Sequence, residues 1–428
     1  MKYTITKFIL LFSFSSIVFC RDIEYHDLEI NVFGDPYPAN IFIHTMGIAP
    51  KYMSILDTLI NPSWYVNCGS KGLDFKPNQN KLTYFDKEEQ TWIVLNEFMV
   101  EVDTLSCVNG YGADYHDILL LENNGYILQA YDSITVDMSE IVSGGHSDAK
   151  IIVLIIQEFD QNKNLIFEWN AWDHLNIGEY TNLDLTSDQI EWLHGNSIEI
   201  DLDSNLIVSN RRSSEVLKID RYNGEVIWYF GGPNNEFTIT NDPFNGFSQQ
   251  HDVRRIENGN LLIFDNGNEH SSRISRAVEY ELDEVEKIAN LVWDFSHPEE
   301  YHGLAMGSAQ RLPNNNTLIN WGTIHHRGAV ITEVDYDKNI VLDIAYPEGI
   351  KCYKVRKHDW NFSTNLIPGD TNLDSQVNIF DLNHIIEYIF SPSSNLNMYH
   401  LFRFDLNRDG FIDENDIDIF VNQIMNYD

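Results

Sequence analysis

A short histidine-bearing pattern recurs along most of the chain and restricts the folds open to it. The copies read DYHD ending at Asp117, WLHGNS ending at Ser197, QQHD ending at Asp252 and KHDW ending at Trp360. Each of the first three is followed by a strand-like run: GYIL, NLIVSN and NLLIFDNG. A second apolar run closes on Asp in two of them, at Asp160 and Asp220, and a tryptophan strand ends the unit at Trp169, Trp228 and Trp293. Short strands joined by turns and repeating every roughly 50–65 residues are the mark of propeller blades. Loops that open such blades converge on one end of a central channel, so histidines recurring in them are expected to meet in space. Trp64 in PSWYV and the strands KLTYF and TWIVLNEFMVEVDTL fit two earlier blades without the histidine opening. The expected fold is all-β, a six-bladed β-propeller, followed by a small all-α module.

The remaining features set the surroundings. At 428 residues the chain is long enough for one large β domain and an appendage. Its 65 acidic residues against 28 basic ones give a formal net charge of −37, which repels nucleic acid and anionic membrane, so neither is an expected partner. Lys2 and Lys7 precede an apolar stretch at 8–20 that is too short to span a bilayer, and a polar run follows at 21–27. This reads as a signal peptide over 1–20 and a secreted, periplasmic or cell-surface protein. A lipoprotein signal ending at Cys20 is the other option, although Phe19 is bulky for that site. Export would permit one disulfide among Cys68, Cys107 and Cys352, most simply Cys68–Cys107. The expected organisation is a propeller over 22–362, a linker over 363–369 and a module over 370–428.

That last module carries two twelve-residue acidic loops. Asp370, Asn372, Asp374 and Asp381 occupy positions 1, 3, 5 and 12 of the first, with Gln376 at position 7. Asp405, Asn407, Asp409 and Asp416 repeat this in the second, with Phe411 at position 7 and Gly410 at the sharp turn. Calcium takes six or more hard oxygens on a tightly turned loop, and this spacing supplies them for two ions. An amphipathic helix follows each loop, with Leu382, Ile385, Ile386 and Ile389 on one apolar face and Ile417, Phe420, Val421 and Ile424 on the other. Two such loops at a C-terminus, each ending in Asp, resemble a type I dockerin. That resemblance implies calcium-dependent docking onto a cohesin of a scaffold protein.

Within the propeller the candidates are His116, His194, His251, His325, His326 and His358. A histidine in a β protein is usually structural, which is the reading for His358 and His174. The stretches EWLHGNSIEID, SNRRSSEVLKIDRYNGEVIWYFGG, FSQQHDVRRIENGNLLIFDNGN, SRAVEYELDE and GSAQRLPNNNTLINWG together resemble the bacterial arylsulfotransferase family. The resemblance implies transfer of a sulfuryl group from a phenolic sulfate ester to a phenolic acceptor, through a sulfohistidine and without a nucleotide sulfate donor. Carried over by position, the nucleophile falls on His325 in NWGTIHHRG, with His194 and His251 as partners. The family's arginine after the DNG turn is displaced here, leaving Arg273 as its substitute, while Arg211, His116 and His326 are candidates for substrate binding. A catalytically idle propeller that binds a ligand or partner, attached through the dockerin, is the alternative.

Overall fold

The computed structural model describes residues 25–360, 367–391 and 398–425. The export segment at 1–20 and residues 363–366 of the expected linker lie outside the described residues. Six sheets surround a channel, antiparallel except where the short strands Gln189–Glu191 and Thr238–Thr240 pair in parallel with strands of blades 3 and 5. Blade 2 runs outward through Lys71–Asn78, Lys81–Asp86, Thr91–Leu95 and Glu101–Leu105. Blade 3 follows with Ala113–Leu120, Tyr126–Val136, Ala149–Phe159 and Leu165–Asn170, and blade 4 with Gly195–Ile200, Leu206–Asn210, Glu215–Ile219 and Val226–Gly231. Blade 5 comprises His251–Arg255, Leu261–Asp265, Arg276–Asp283 and Ile288–Phe295, and blade 6 Ser308–Arg311, Thr317–Asn320, Val330–Val334 and Ile340–Ala345.

Both ends of the chain close the ring. The late strand Ile350–His358 is the innermost strand of blade 1, ahead of Asn40–Gly47, Tyr52–Leu56 and Pro62–Asn67. The early strand Glu29–Val32 pairs with Ile340–Ala345 at the outer edge of blade 6. Closure of this kind leaves no long sheet edge at the seam.

The repeated residues have structural causes. Asp160 and Asp220 each take backbone N–H groups of their own turn, at 2.8 Å from Asn162 and 2.8 Å from Tyr222, which fixes the turn between third and fourth strands. Trp169 and Trp293 each donate an indole N–H across to the corresponding turn of the next blade, to the Gly224 and Tyr336 carbonyls at 3.0 Å. In blades 5 and 6 the asparagine at the end of the second strand latches the start of the next blade. Asn266 Nδ2 reaches the Met306 carbonyl at 3.0 Å, and Asn320 Nδ2 reaches those of Cys352 and Tyr353 at 3.1 Å. The apolar core lies mainly between adjacent blades, so these polar ties set the angle at which the blades meet.

The bridge that export would permit does not form. Cys68, Cys107 and Cys352 are all free and buried, and Cys68 and Cys107 belong to two different core clusters. Burial pushes the Cys107 thiol up to about 12, so it is an inert apolar filler.

The C-terminal module has helices Ile379–Phe390 and Glu414–Met425, and a third, Met398–Phe404, that the loop pattern did not signal. Leu382, Ile385, Phe404 and Phe420 form its core with Ile386, Ile389, Ile417 and Ile424 against them, whereas Val421 faces outward. The module is seated on the propeller. Leu401 and Phe402 enter the cluster of Phe42, Trp64 and Phe75 between blades 1 and 2, with the Trp64 and Phe402 rings 5.8 Å apart. The Arg408 guanidinium lies 4.1 Å from the Tyr65 ring and donates to the Tyr65 carbonyl at 2.9 Å, while Asn67 Nδ2 donates to the Asp409 carbonyl at 3.1 Å.

Candidate active site

In a four-stranded antiparallel blade, the loop before the first strand and the loop between the second and third emerge at the same end. His116, His194 and His251 lie at or near the starts of the innermost strands of blades 3, 4 and 5, and Arg211 lies in the second-to-third loop of blade 4. Here the innermost strands slip register against their neighbours in every blade except the sixth, for example between His251 and Arg254 and between Gly195 and Ser197. A bulge frees side chains from strict alternation and turns them toward the channel mouth. Asp252 takes φ 56° there, and Asp74 φ 51° in blade 2.

The three histidines converge. Nε2 of His116 and Nε2 of His194 stand 3.0 Å apart. On the outer sides, His116 Nδ1 meets Asp114 Oδ1 at 2.5 Å and His194 Nδ1 meets Glu191 Oε1 at 2.6 Å. Gln129 Nε2 donates to the same Asp114 oxygen at 2.8 Å. Tyr115 stacks on His116 at 4.1 Å, and Tyr353 stands edge-on to His116 at 5.9 Å and to His251 at 5.5 Å. His251 is buried and its Nδ1 has no partner. Burial first, then the charges of Lys354, His116, His194 and Arg211, hold His251 well below the usual imidazole range, so its ring is neutral.

Two cations, Arg211 and Lys354, act on His251 from its surroundings. Arg211 donates to the Leu304 carbonyl at 2.9 Å, but its Nε is buried without a partner. Lys354 ties blades 3 and 4 together by donating to the His116 carbonyl at 2.7 Å and the Asn196 carbonyl at 2.9 Å. Burial pulls its ammonium down to about 8, against the opposing pull of Asp117, Asp74 and Asp252. Deeper in the channel an ion network closes the floor. Arg254 joins Asp117 at 2.7 Å and Asp252 at 2.9 Å, Arg356 grips Asp252 with both nitrogens, and Lys76 joins Asp117 and Asp74. Buried Arg–carboxylate pairs with every oxygen bonded make a rigid base for the site above.

The sequence expectations divide around this geometry. The structure brings His116, His194, His251 and Arg211 together. His325, expected as the nucleophile, is exposed in the second-to-third loop of blade 6, its ring 5.9 Å from that of the equally exposed His326. Arg273 is also exposed, and both it and His325 are felt electrostatically by His302, which bonds Asn268 at 2.7 Å. These residues make a solvated rim at the same end, outside the buried group. The fourth histidine copy is out of register: His358 ends its innermost strand and lines a cavity of about 650 Å³ at the opposite end with Lys76, Arg254 and Arg356. Its strand instead contributes Tyr353 and Lys354 to the site, residues no motif had marked. Asp114, Glu191 and Gln129 were also missed, although Asp114 opens the DYHD copy and Glu191 stands three residues before His194.

In the C-terminal loops the donor chemistry fits a hard cation. Asp370 takes the backbone N–H groups of Asp374 and Ser375 at 3.1 and 3.0 Å, and Asp405 those of Asp409 and Gly410 at 3.1 and 2.8 Å, which curls each loop around its first carboxylate. Burial and the neighbouring Asp416 and Asp409 push Asp405 up to about 7, the crowding that a cation relieves. Among the described residues no three His, Cys, Asp or Glu side chains stand together as a metal-holding group. No helix among them is long and apolar enough to cross a membrane.

The family model of arylsulfotransferase (ASST) matches residues 48–354, and that of the dockerin type I domain matches residues 368–425. No curated protein matches the chain. Among solved structures, a protein of unknown function from Bacteroides caccae is similar at 11% identity and TM-score 0.44, over 75% of this chain and 99% of that one. Virginiamycin B lyase from Staphylococcus aureus, with quinupristin, is similar at 8% identity and TM-score 0.39, over 75% of this chain and 89% of that one. The match over most of the length, on a six-bladed propeller with a helical C-terminal module, makes this chain a member of the arylsulfotransferase family, a sulfotransferase that carries a type I dockerin domain.

Proposed function

We propose that the protein transfers a sulfuryl group from a phenolic sulfate ester to a phenolic acceptor in two steps, with His251 as the carrier and without a nucleotide donor. The observation that carries this reading is a pair of unsatisfied buried atoms on adjacent blades, His251 Nδ1 and Arg211 Nε, with Arg211, His116 and His194 all acting electrostatically on His251. Buried polar atoms left without partners mark a place where a ligand completes the bonding. A neutral imidazole is a competent nucleophile at neutral pH. It attacks sulfur, the S–O bond to the phenol breaks, and the departing phenolate takes a proton from the histidine pair. The acceptor phenol then returns a proton to that pair, its oxygen attacks the sulfur on His251, and the imidazole is restored. Three sulfuryl oxygens carry charge in the transition state, and Arg211 supplies a cation where that charge develops. The partly exposed Tyr115 offers aromatic surface for a phenol, and the buried Tyr353 backs His116 and His251. This choice of carrier departs from the expectation of His325, because His251 has burial, neutrality and a cation beside it and His325 is solvated.

Rapid acid- or base-quenched digestion after mixing with p-nitrophenyl sulfate tests the reading. An SO₃ adduct on the His251 peptide, removed by added phenol, supports it. An adduct on the His325 peptide moves the chemistry to the rim. Absence of any adduct and of any transfer across several donors favours a propeller that only binds its ligand.

Dockerin domains occur in secreted or cell-surface proteins and imply a cohesin partner. We extend this to the finer expectations: cleavage of a signal peptide near residue 20, two calcium ions held by Asp370, Asn372, Asp374, Gln376 and Asp381 and by Asp405, Asn407, Asp409, Phe411 and Asp416, and tethering through them. Calcium would neutralise the crowded carboxylates and fix both loops.

A further inference from the structure

We propose that Asp114, His116, His194 and Glu191 form one proton store that holds a single extra proton between the two imidazoles, with Asp114 and Glu191 as its positioning residues. Its use in catalysis rests on the sulfuryl-transfer reading above; its existence does not.

Hydrogen counting carries the inference. Burial alone would raise Asp114, but the His116 ring and the bonds from His116 and Gln129 hold its carboxyl below the usual range. The bond from His194 lowers Glu191 in the same way, with Arg212 and Arg211 adding to it. Both carboxylates are therefore ionised and can only accept. Each sits on an Nδ1, at 2.5 and 2.6 Å, so each Nδ1 carries a hydrogen. A neutral imidazole has only one N–H, so two neutral rings would aim bare Nε2 lone pairs at each other across 3.0 Å. One added proton turns that repulsion into an N–H···N bond. A second would put two donors face to face. The arrangement therefore selects the singly protonated pair, with its positive charge offset by the two carboxylates.

The surroundings limit uptake to that one proton. Facing the pair are Arg211 from blade 4, Arg212 near Glu191, Lys354 from blade 1, the neutral His251 from blade 5, and the phenols of Tyr115, Tyr131 and Tyr353. Burial, and then His116 and Arg211 among its neighbours, lower the pKa of His194 despite Glu191. The ionisable tyrosines stay protonated because burial raises Tyr115 to about 12 and Tyr131 and Tyr353 further. A store of this kind matches a two-step transfer, which releases one phenolate and then deprotonates one phenol. The Nε2–H proton leaves with the first product, both rings become neutral, and the acceptor's proton refills the same position, so protons balance over the cycle.

The test uses the full chain with ¹⁵N-labelled histidine. Nuclear magnetic resonance at neutral pH is expected to show His116 and His194 each protonated at Nδ1, with one strongly deshielded proton shared by their Nε2 atoms. The pair should lose that proton in a single joint step as pH rises. Glu191→Gln changes a half-exposed side chain, so folding is retained. It should lower the pH at which the joint step occurs and slow transfer from phenyl sulfate by about tenfold more than transfer from p-nitrophenyl sulfate, whose phenolate needs little protonation. Two independent imidazole titrations, or an unprotonated Nδ1 on either ring, would overturn the store even in a protein that transfers nothing. Equal slowing of both donors would overturn its catalytic use, while absence of transfer with the shared proton present would overturn only the sulfotransferase reading.

Discussion

Glu215 begins the third strand of blade 4, fully buried beneath the loop that carries Arg211. It accepts from the Tyr180 hydroxyl at 3.0 Å and from Asn234 Nδ2 at 3.2 Å, and burial still pushes it up to about 7. A carboxyl raised on folding favours the native state below its unfolded pKa, and that contribution fades as pH climbs from about 4.5 toward about 7. Glu215→Gln should therefore gain roughly 1–3 kcal/mol relative to the parent at pH 8 and little at pH 5, measured by denaturant unfolding at both values. An equal effect at the two pH values would show that the parent carboxyl is ionised throughout. At this scale the sequence revealed half of the site. His116, His194 and His251 were legible because they repeat. Asp114 and Glu191 were not, because a carboxylate two or three residues from a histidine is ordinary in so acidic a chain and only the bulged strand shows that the pair meets. His325 was expected from family position, which says nothing about burial, and the structure places it on the exposed rim.

The blades themselves were legible from their punctuation, since Asp160 and Asp220 fix turns and Trp169 and Trp293 staple their strands to the next blade. An asparagine stands at the end of the second strand in NLIVSN and LLIFDN, yet only the latter, Asn266, makes the latch, whereas both side-chain atoms of Asn210 are buried without a partner. Asn320 holds the carbonyls of Cys352 and Tyr353, and through them the strand that presents Tyr353 and Lys354. Asn320→Ala leaves two buried carbonyls short of a donor, a loss of about 1–3 kcal/mol, and should lower transfer beyond what the loss of folded protein explains. Unfolding curves and specific activity on the folded fraction would check this. An activity loss fully matched by the unfolded fraction would leave the asparagine as a latch alone. The fourth histidine copy failed at this same scale. KHDW lies at the end of an innermost strand instead of its beginning, because the ring is closed by that strand and the repeat is out of phase with the blade.

On the scale of the whole molecule, the linker pattern suggested a tethered appendage, and the structure instead seats the C-terminal module on blades 1 and 2. The helix Met398–Phe404 was missed because seven residues between two loops carry too short a period to read. Its Leu401 and Phe402 continue into the second acidic loop, where Arg408 and the Asp409 carbonyl touch Tyr65 and Asn67. Ordering that loop with calcium should thus stabilise the propeller by linkage. Chelation is expected to lower the melting temperature seen by the propeller tryptophans. Phe402→Ala should cost about 3–5 kcal/mol and reduce that calcium dependence. Propeller melting that ignores calcium in the parent protein would mean the two parts are thermodynamically separate.

The most direct test of the assigned site is acceptor-dependent release of nitrophenol from p-nitrophenyl sulfate by the parent protein, His251→Ala and His325→Ala, with folding of each checked by circular dichroism. Loss of transfer in His251→Ala and its retention in His325→Ala is the expected result. Retention in His251→Ala with loss in His325→Ala would contradict a carrier in the buried cluster and return the chemistry to the exposed rim.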